Sequence, residues 1–362
     1  MISVGLDVHV RNSFACAKDG EGRVLVRGRC GNTLLELAEL LAPVERAAKG
    51  GDERVRVVLE TTTNSRAVKR LCDEYGRRAG IELTAEVLDA RRLRVIAESV
   101  VKCDRRDAAV LCDLARTNLK LPACYVPDDE VFQLRERLRA RADLVRVRTT
   151  LKNRVQSVLH RRGILRPARL DLFTKQGREY LASLALDAAG RRALDAMLSC
   201  MERVDEQRKE STKALLIEGK RPRWAKSYAV VESIPGVGPI TALTILAELG
   251  DAARFNSRAA VANYAGLAPI VRDSNEKTGR GGISHRGSAH LRAVLIEAAW
   301  QAVGRAPQYA DLFARVAQRR GKQVAITAVA RRILEDAWTL WRKGEPFRHL
   351  TPTSTSAASA AG

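Results

Sequence analysis

The sequence predicts an α/β domain followed by a mostly α-helical remainder. Residues 1–122 alternate short β-branched runs with segments of helical periodicity, whereas the later residues carry long helical patterns and few strand candidates. A chain of 362 residues is long enough for two or three domains, and 46% hydrophobic content is enough to build buried cores. We therefore expect an α/β domain, a helical region and a second helical domain, in that order.

Eight predicted elements fill residues 1–122. They are the strands "MISVGLDVHV", "SFACAKDG" and "RVLVRGRC", the helix "NTLLELAELLAPVERA", the strand "RVRVVLE", the helix "SRAVKRLCDEYGRRAG", the strand "IELTAEVL" and the helix "DRRDAAVLCDLART". The "DG" and "EG" pairs between the second and third strands indicate a hairpin turn. The order βββαβαβα is that of an RNase H-like (RuvC-like) domain.

Residues 123–222 are predicted to form a basic helical region. Positions 131–170 contain twelve Lys and Arg residues against Glu136 and Asp143. An apolar stripe runs beside them at steps of three and four, which predicts an amphipathic helix with a basic outer face. Its members are Leu134, Leu138, Ala142, Val145, Val155 and Leu159. A second helix over about 188–218 is expected to pair with the first as a coiled-coil arm.

Residues 223–348 are predicted to form a third, mostly α-helical domain. The stretch "PGVGPITALTILAEL" has the form of a helix-hairpin-helix, whose glycine turn serves either to bind a phosphate or to pack the helices. The glycine-rich stretch "APIVRDSNEKTGRGGISHRG" predicts a loop at a functional surface. The Ser, Thr and Ala-rich tail over 349–362 predicts disorder.

The charge of the chain indicates its partner. Sixty-three Lys and Arg against 42 Asp and Glu give a net charge of +21 and a pI near 10.2, which favours a nucleic acid. No apolar run reaches the roughly 18 to 20 residues that span a bilayer, and no targeting segment is evident, so we expect a cytoplasmic protein. The seven scattered cysteines form no CxxC pair, which argues against both a zinc site and a disulfide framework.

Four carboxylates form the candidate catalytic site. Asp7 and Glu60 lie at the ends of two predicted strands, and strand ends at one sheet edge are where ligands bind in α/β folds. Asp104 and Asp107 stand three residues apart on a predicted helix, hence on one face. Taken singly, each has a structural explanation, such as a helix cap or a helix-dipole contact. Together they predict a site for Mg²⁺ or Mn²⁺ acting on a phosphodiester.

Three motifs resemble a known family. "GLDVHV", "VLETTTNS" and "KCDRRDAAVL" resemble those of the DEDD insertion-sequence recombinases, which are related to the Piv invertase and have a RuvC-like domain. The stretch from "SIPGVGPITALTILAELG" to "HLRAVLIEAAW" resembles that family's transposase domain. The resemblance implies that Asp7, Glu60, Asp104 and Asp107 are metal ligands. It also implies a serine nucleophile at Ser274, where Asn275 replaces the usual glycine; Ser284 is the alternative.

The resemblance implies a DNA recombinase that moves its own insertion sequence, guided by a structured bridge RNA, as a dimer or tetramer. The candidate nucleic-acid contacts are Arg135, Arg139, Arg146, Lys152, Arg154, Arg161, Arg162, Lys277, Arg280 and Arg286. One alternative is a structure-selective endonuclease, such as a Holliday-junction resolvase, that uses only the carboxylates. Another is a non-catalytic nucleic-acid-binding protein on an inactivated RNase H-like core.

Overall fold

The computed structural model describes residues 1–89, 104–117, 119–274, 277–283 and 287–348. Ser284, Arg286 and the tail over 349–362 lie outside the described residues. The chain divides into two compact units, Met1–Val126 and Pro127–Gly362, and each is described by itself below.

The N-terminal unit is built on a mixed five-stranded sheet. Its strands are β1 (Ile2–Val8), β2 (Asn12–Lys18), β3 (Val24–Gly31), β4 (Val55–Glu60) and β5 (Leu83–Leu88). Its helices are α1 (Leu34–Gly51), α2 (Ser65–Ala79) and α3 (Asp104–Arg116). The spatial order is β3-β2-β1-β4-β5; β2 runs antiparallel to β1 and β3, whereas β1, β4 and β5 are parallel. Over the described residues of this unit, the predicted element order is confirmed.

Alternating residues of β1 and β4 face two different cores. Val4 and Val57 point to the side packed with the buried residues of α1 and α2. Val58 points to the other side, where it packs with Leu111 of α3. Because side chains alternate along a strand, the odd-numbered positions of β1 and the even-numbered positions of β4 lie on the side that α3 covers.

The C-terminal unit begins with two long helices that run antiparallel. It contains α4 (Asp129–His160), the short α5 (Lys175–Ser183) and α6 (Ala188–Gly219). The contacts move down α6 as they move up α4: Arg141 bonds Thr212, Arg148 pairs with Asp205, and Arg162, just beyond α4, pairs with Asp187. The two helices thus form a hairpin, which we name the α4–α6 hairpin; the coiled-coil geometry stays a prediction.

The predicted stripe of α4 is buried at its two ends. Leu134 and Leu138 join the main core of this unit, and Val155 and Leu159 join a smaller core near the other end of the hairpin. Between them Val145 is 38% exposed, so its predicted place on the buried stripe is wrong. Polar contacts such as Arg148 to Asp205 hold the middle of the hairpin instead.

Asp187 caps α6 and should make the hairpin sensitive to acid. Its carboxylate accepts hydrogen bonds from Arg162 and from the backbone N–H of Gly190, and the first of these is the main reason that its pKa lies well below the usual 3.8. A lowered folded-state pKa stabilises the fold above pH 3.8, and that contribution is lost as the pH falls below it.

We therefore expect Asp187→Asn, which keeps a capping side chain, to lower the free energy of unfolding at pH 7. The difference from the wild type should shrink below a pH of about 4. Urea unfolding between pH 7 and pH 2 measures it, with the exposed Asp195→Asn as control. A difference that is independent of pH would contradict the assignment.

The rest of the unit packs around one buried helix. Its helices are α7 (Pro222–Glu232), α8 (Pro239–Leu249), a 3-10 turn (Ala252–Arg254), α9 (Arg258–Tyr264), α10 (Ala289–Val303), α11 (Pro307–Arg320) and α12 (Lys322–Lys343). Every residue of α8 from Ala242 to Leu249 is buried. The stretch predicted as a helix-hairpin-helix forms α7, α8 and their connecting turn. Gly236 has φ +85° there, and a Cβ on it would overlap the backbone of α10 at Ala298 and Ala302, so this glycine serves packing.

The stretch predicted as a loop contains a hairpin. β6 (Pro269–Ser274) pairs antiparallel with β7 (Lys277–Ile283), with Ser274 opposite Lys277. The loop prediction is wrong here because strand propensity, which glycines lower, depends on cross-strand pairing and on burial of neighbours. Ile283, for example, packs against the main core of this unit.

Candidate active site and nucleic-acid interface

Two of the predicted carboxylates lie at neighbouring strand ends. The parallel register pairs Leu6 with Leu59, so Asp7 and Glu60 follow at adjacent positions of β1 and β4. Neighbouring strands are about 4.8 Å apart, and both residues occupy the side of the sheet that α3 covers. Asp7 keeps 19% of its side chain exposed to solvent. The structure thus brings these two acids to one edge of one face.

Helix α3 runs antiparallel to β1, with its acidic first turn toward Asp7. The Sγ of Cys112 donates to the carbonyl of Ser3 at 3.1 Å, and the backbone near Ala108 lies directly over Gly5. Each step back along α3 therefore approaches the carboxyl end of β1. Asp107 is partly buried in this turn, one helical turn before Leu111, which packs on Val58 beside Glu60. Asp104 is the first residue of α3, but its side chain is not described.

His9 is a further titratable side chain at this edge. Its Nε2 lies 3.3 Å from Oδ2 of Asp7, and the imidazole is about half exposed. His9 was not among the predicted site residues. The sequence contained a pattern that indicates it: His9 stands two positions after Asp7, and residues two positions apart on an extended strand share a face.

The chemistry of these donors suits a hard divalent cation. Carboxylate oxygens are the ligands that Mg²⁺ and Mn²⁺ prefer, and Asp7, Glu60 and Asp107 are all acids around the same sheet edge. Among the side chains that the structure describes, no group of three His, Cys, Asp or Glu is already close enough to hold an ion.

The serine candidate lies in the other unit. Ser274 ends β6 opposite Lys277. Lys277 and Arg280 belong to β7, and the side chains of all three residues fall outside the description. The structure therefore gives the backbone position of Ser274 only.

Acids from other helices neutralise much of the basic face of α4. Arg137 pairs with Glu218 at 2.7 Å and Arg139 with Glu248 at 3.3 Å. Arg148 and Arg162 pair with acids of α6 or its cap, as described above. Because α4 itself contains few acids, the sequence predicted more unneutralised positive charge on its face than the folded protein has.

Some cations of α4 and of the loop after it have no acidic partner among the described residues. They lie near the end of the α4–α6 hairpin where α4 leads into α5. Arg154 and Arg161 are exposed and have no acidic partner among the described residues, and Arg166 and Arg169 extend the same region. We name these four residues the basic tip. Lys152 lies 4.6 Å from the centre of the Phe173 ring, and Arg146 pairs with Asp143 of its own helix.

Arg135 has a packing role instead of a surface role. It is 8% exposed, and its guanidinium donates to the carbonyl oxygens of Ala247 and Glu248, both at 2.8 Å. These carbonyls end α8, where helices leave acceptors without intrahelical donors. This position is therefore buried and cannot contact a nucleic acid, contrary to its predicted place in the basic face.

We expect Arg135→Met to lower the free energy of unfolding of the C-terminal unit by about 2 kcal/mol, because buried carbonyls lose charged donors. Urea denaturation followed by circular dichroism measures this. Arg154→Met, an equal change at an exposed position, should shift stability by less than about 0.5 kcal/mol. Equal effects of the two changes would contradict the capping role.

Two protein families match separate parts of this chain. Residues 4–162 match the IS110 DEDD transposase family, described as "Transposase", and residues 228–314 match "Transposase IS116/IS110/IS902 family". The first match includes all four predicted carboxylates, and the second includes Ser274. None of the described helices has the length and apolar content needed to span a bilayer.

Individual relatives come from several bacteria. A putative transposase y4qE of Sinorhizobium fredii is 31% identical over 55% of this chain, which spans about half of that relative (48%). An uncharacterized 44.8 kDa protein of insertion element IS116 from Streptomyces clavuligerus is 24% identical over 98% of both chains. The pilin gene-inverting protein of Moraxella bovis is 30% identical over 33% of this chain and 38% of its own length.

Proposed function

Because the chain belongs to the IS110/IS116 family of insertion-sequence transposases, we propose that it cuts and rejoins DNA strands to excise and insert its own mobile element. The convergence of Asp7, Glu60 and the first turn of α3 on one sheet face carries this proposal. The sheet order β3-β2-β1-β4-β5 and the match to a DEDD family support an RNase H-like N-terminal domain.

The four carboxylates would hold Mg²⁺ or Mn²⁺. When bound, such ions polarise the scissile phosphate and lower the pKa of an attacking hydroxyl. The chain's own contribution is to aim Asp7 and Glu60 from rigid strands, and Asp104 and Asp107 from a helix fixed on the same face. His9, beside Asp7, would hold that carboxylate in position.

Ser274 would be the nucleophile. Its Oγ would bond to phosphorus and lose its proton, while one bridging oxygen of the DNA leaves as a free hydroxyl. The resulting phosphoserine keeps the ester for joining to a second DNA end. Support comes from the family match over residues 228–314 and from the place of Ser274 at the end of β6 beside basic residues.

A covalent adduct is the test of this chemistry. Purified protein is incubated with DNA that carries both element ends, Mg²⁺ and RNA transcribed from the non-coding flank of the element. We expect strand joining and a denaturation-resistant protein–DNA adduct, both lost in Ser274→Ala and kept in Ser288→Ala, a helix-cap control. An adduct lost only in Ser284→Ala would move the nucleophile to Ser284. Cleavage by Ser274→Ala without any adduct would favour the endonuclease alternative.

A bridge RNA would pair with the target and donor DNA, and the basic tip would hold its backbone. Arg154 and Arg161 support this because they are exposed and lack acidic partners in the described part of the chain. Contacts to phosphates release counterions, so each lost contact lowers the salt dependence of binding.

We expect Arg154→Gln with Arg161→Gln to weaken RNA binding and to reduce the slope of log affinity against log salt by about 1 to 2. Binding titrations between 50 and 300 mM KCl measure this. The exposed pair Arg54→Gln with Arg78→Gln, on the N-terminal unit, removes the same charge. An equal loss in that control would show that net charge alone binds the RNA.

The active assembly would be a dimer or tetramer, because Asp7 and Ser274 belong to separate units of the chain. A composite site can then join a carboxylate from one subunit to a serine from another. Mixing Asp7→Ala and Ser274→Ala chains should restore joining. No recovery, with both chains folded and mixed in one oligomer, would contradict sharing between subunits.

A further inference from the structure

A cavity of about 440 Å³ lies within the C-terminal unit, and none of the described residues predicted as catalytic or nucleic-acid-binding lines it. Arg258 of α9, one side of α11, the second half of α12 and the segment that follows it form its walls. Cavities that bind small molecules have volumes of about 300 to 1,000 Å³, so this one is of a size to enclose a single small ligand.

The cavity is basic. Five cationic side chains line it (Arg258, Arg315, Arg332, Lys343 and Arg348). The two acids are Asp336 and Glu345. Asp336 is already neutralised, since Arg332 pairs with it at 3.0 Å and the Tyr309 hydroxyl donates to it at 3.1 Å. The remaining cations therefore outnumber Glu345, and an anionic ligand is favoured.

Three of these cations, Arg258, Arg315 and Lys343, have no acidic partner in the described part of the chain. Arg258 donates to the neutral hydroxyl of Thr339 at 3.1 Å. Among the described residues, neither Arg315 nor Lys343 forms an ion pair. Arg319 and Arg320 continue the positive charge beyond Arg315 along the exposed end of α11, and Lys322 follows at the start of α12. A path for a phosphate backbone therefore leads to the cavity.

Part of the lining is apolar. The Tyr309 and Phe347 rings stack with centroids 5.9 Å apart and an interplanar angle of 27°, and Leu312, Leu340 and Pro346 extend this surface. Such a wall accepts the face of a planar ring.

An unsatisfied amide adds a polar requirement. The Oε1 atom of Gln308 is buried and has no hydrogen-bond partner among the described residues, although Gln308 lines the cavity. A buried acceptor without a donor is unfavourable. Because this atom is covered from solvent, the Gln308 side chain must rotate toward the cavity before an N–H group of a ligand can donate to it.

We propose that this cavity binds one unpaired nucleotide of a single-stranded segment. The base lies against the Phe347 side and donates to Gln308, and the phosphate lies among Arg258, Arg315 and Lys343. A base in a duplex is stacked on both faces and paired at its edge, so only an extruded or terminal nucleotide can present both its face and its edge to this cavity. Residues 349–362 contain no Asp or Glu, so the side chains of the chain's own tail supply no anion for this cavity. The proposal rests on the proposed function only in requiring that the protein binds nucleic acid.

The test measures binding by the full-length protein in EDTA, where metal-dependent cleavage cannot occur. The probes are a fluorescein-labelled 12-nucleotide RNA, its duplex, and an abasic strand with the same number of phosphates. We expect the RNA to bind about tenfold more tightly than the abasic strand, the size of effect that stacking of one base supplies. Equal affinities would overturn the proposal and leave a phosphate site only.

Two double variants distinguish binding in the cavity from general attraction to positive charge. Arg258→Gln with Arg315→Gln should weaken binding of the single strand about tenfold and of the duplex less than twofold. Arg319→Gln with Arg320→Gln removes the same charge outside the cavity, and should weaken both probes alike. The same pattern in both variants would overturn the proposal.

Photocrosslinking covers the case in which the cavity variant fails to fold. Wild-type protein is irradiated with RNA that contains 4-thiouridine, and the modified peptides are identified by mass spectrometry. Crosslinks to Tyr309, Leu312 or Phe347 support the site, whereas crosslinks confined to other regions overturn it. Binding and crosslinking in EDTA do not require strand cleavage, so a failed recombinase assignment and an empty cavity are distinguishable.

Discussion

Asp7→Asn should abolish strand cleavage, with a fall in rate of about 1,000-fold or more. Asparagine keeps the shape of the side chain but removes a negative ligand from the sheet edge that Asp7 shares with Glu60. A bound metal contributes several kcal/mol to phosphoryl transfer, and each 1.4 kcal/mol is a tenfold change in rate. The rate of nicking of a DNA that carries one element end measures the effect.

Asp107→Asn should act in the same direction, and Asp113→Asn is its matched control. Both residues belong to α3, but Asp113 lies near the opposite end and pairs with Lys18. The control should cleave within about twofold of the wild type, because an exposed ion pair contributes little. Full activity in Asp7→Asn at saturating Mg²⁺ would remove the carboxylate from the mechanism.

A folding control accompanies these variants. Removing a carboxylate from a crowded acidic edge relieves repulsion in the absence of metal, so Asp7→Asn should leave the thermal midpoint equal or higher in EDTA. Added Mg²⁺ should raise the midpoint of the wild type more than that of the variant, since a ligand that binds only the folded state stabilises it. This readout does not depend on cleavage.

Gly5→Ala should destabilise the N-terminal unit by about 3 kcal/mol and also reduce cleavage. The added Cβ would overlap the carbonyl oxygen of Ala108 and the amide nitrogen of Cys112, and would lie 2.9 Å from the carbonyl carbon of Leu111. All three are backbone atoms of α3, so no side-chain rotation relieves the overlap. The helix must move off the sheet, and its acidic first turn moves with it.

Urea unfolding and the cleavage rate measure the two effects of Gly5→Ala. Gly50→Ala is the matched control, because a Cβ at Gly50 meets nothing within 4 Å and the residue lies in α1. That change should be neutral or slightly stabilising. Wild-type stability in Gly5→Ala would show that α3 does not pack on β1 as closely as described.

The order of strands and helices in the N-terminal unit was predictable because it depends on local patterns. β-branched runs and helical periodicity extend over a few residues, and each marks its own element. Asp7 and Glu60 were recognisable as strand-end residues for the same reason. Their common face followed only from the parallel register of β1 and β4, which no local pattern contains.

The contacts of the basic helix α4, by contrast, could not be predicted from local patterns. Arg135 and Arg154 look alike in sequence, yet one caps α8 from a buried position and the other is exposed. The acids that neutralise Arg137 and Arg148 lie on α6, more than 50 residues away. The hairpin of β6 and β7 was missed because pairing across a glycine-rich segment depends on its neighbours.

The sequence by itself determined the α/β order of the first unit, the long helices of the second, the excess of positive charge and the family motifs with their carboxylates. Only the tertiary structure decided that α3 runs antiparallel to β1 with its acidic end toward Asp7, which arginines remain unpaired, and that a basic cavity lies beside Phe347. The physical reason is range: backbone propensity and periodicity act between near neighbours, whereas register, ion pairing and cavities depend on residues that only folding brings together.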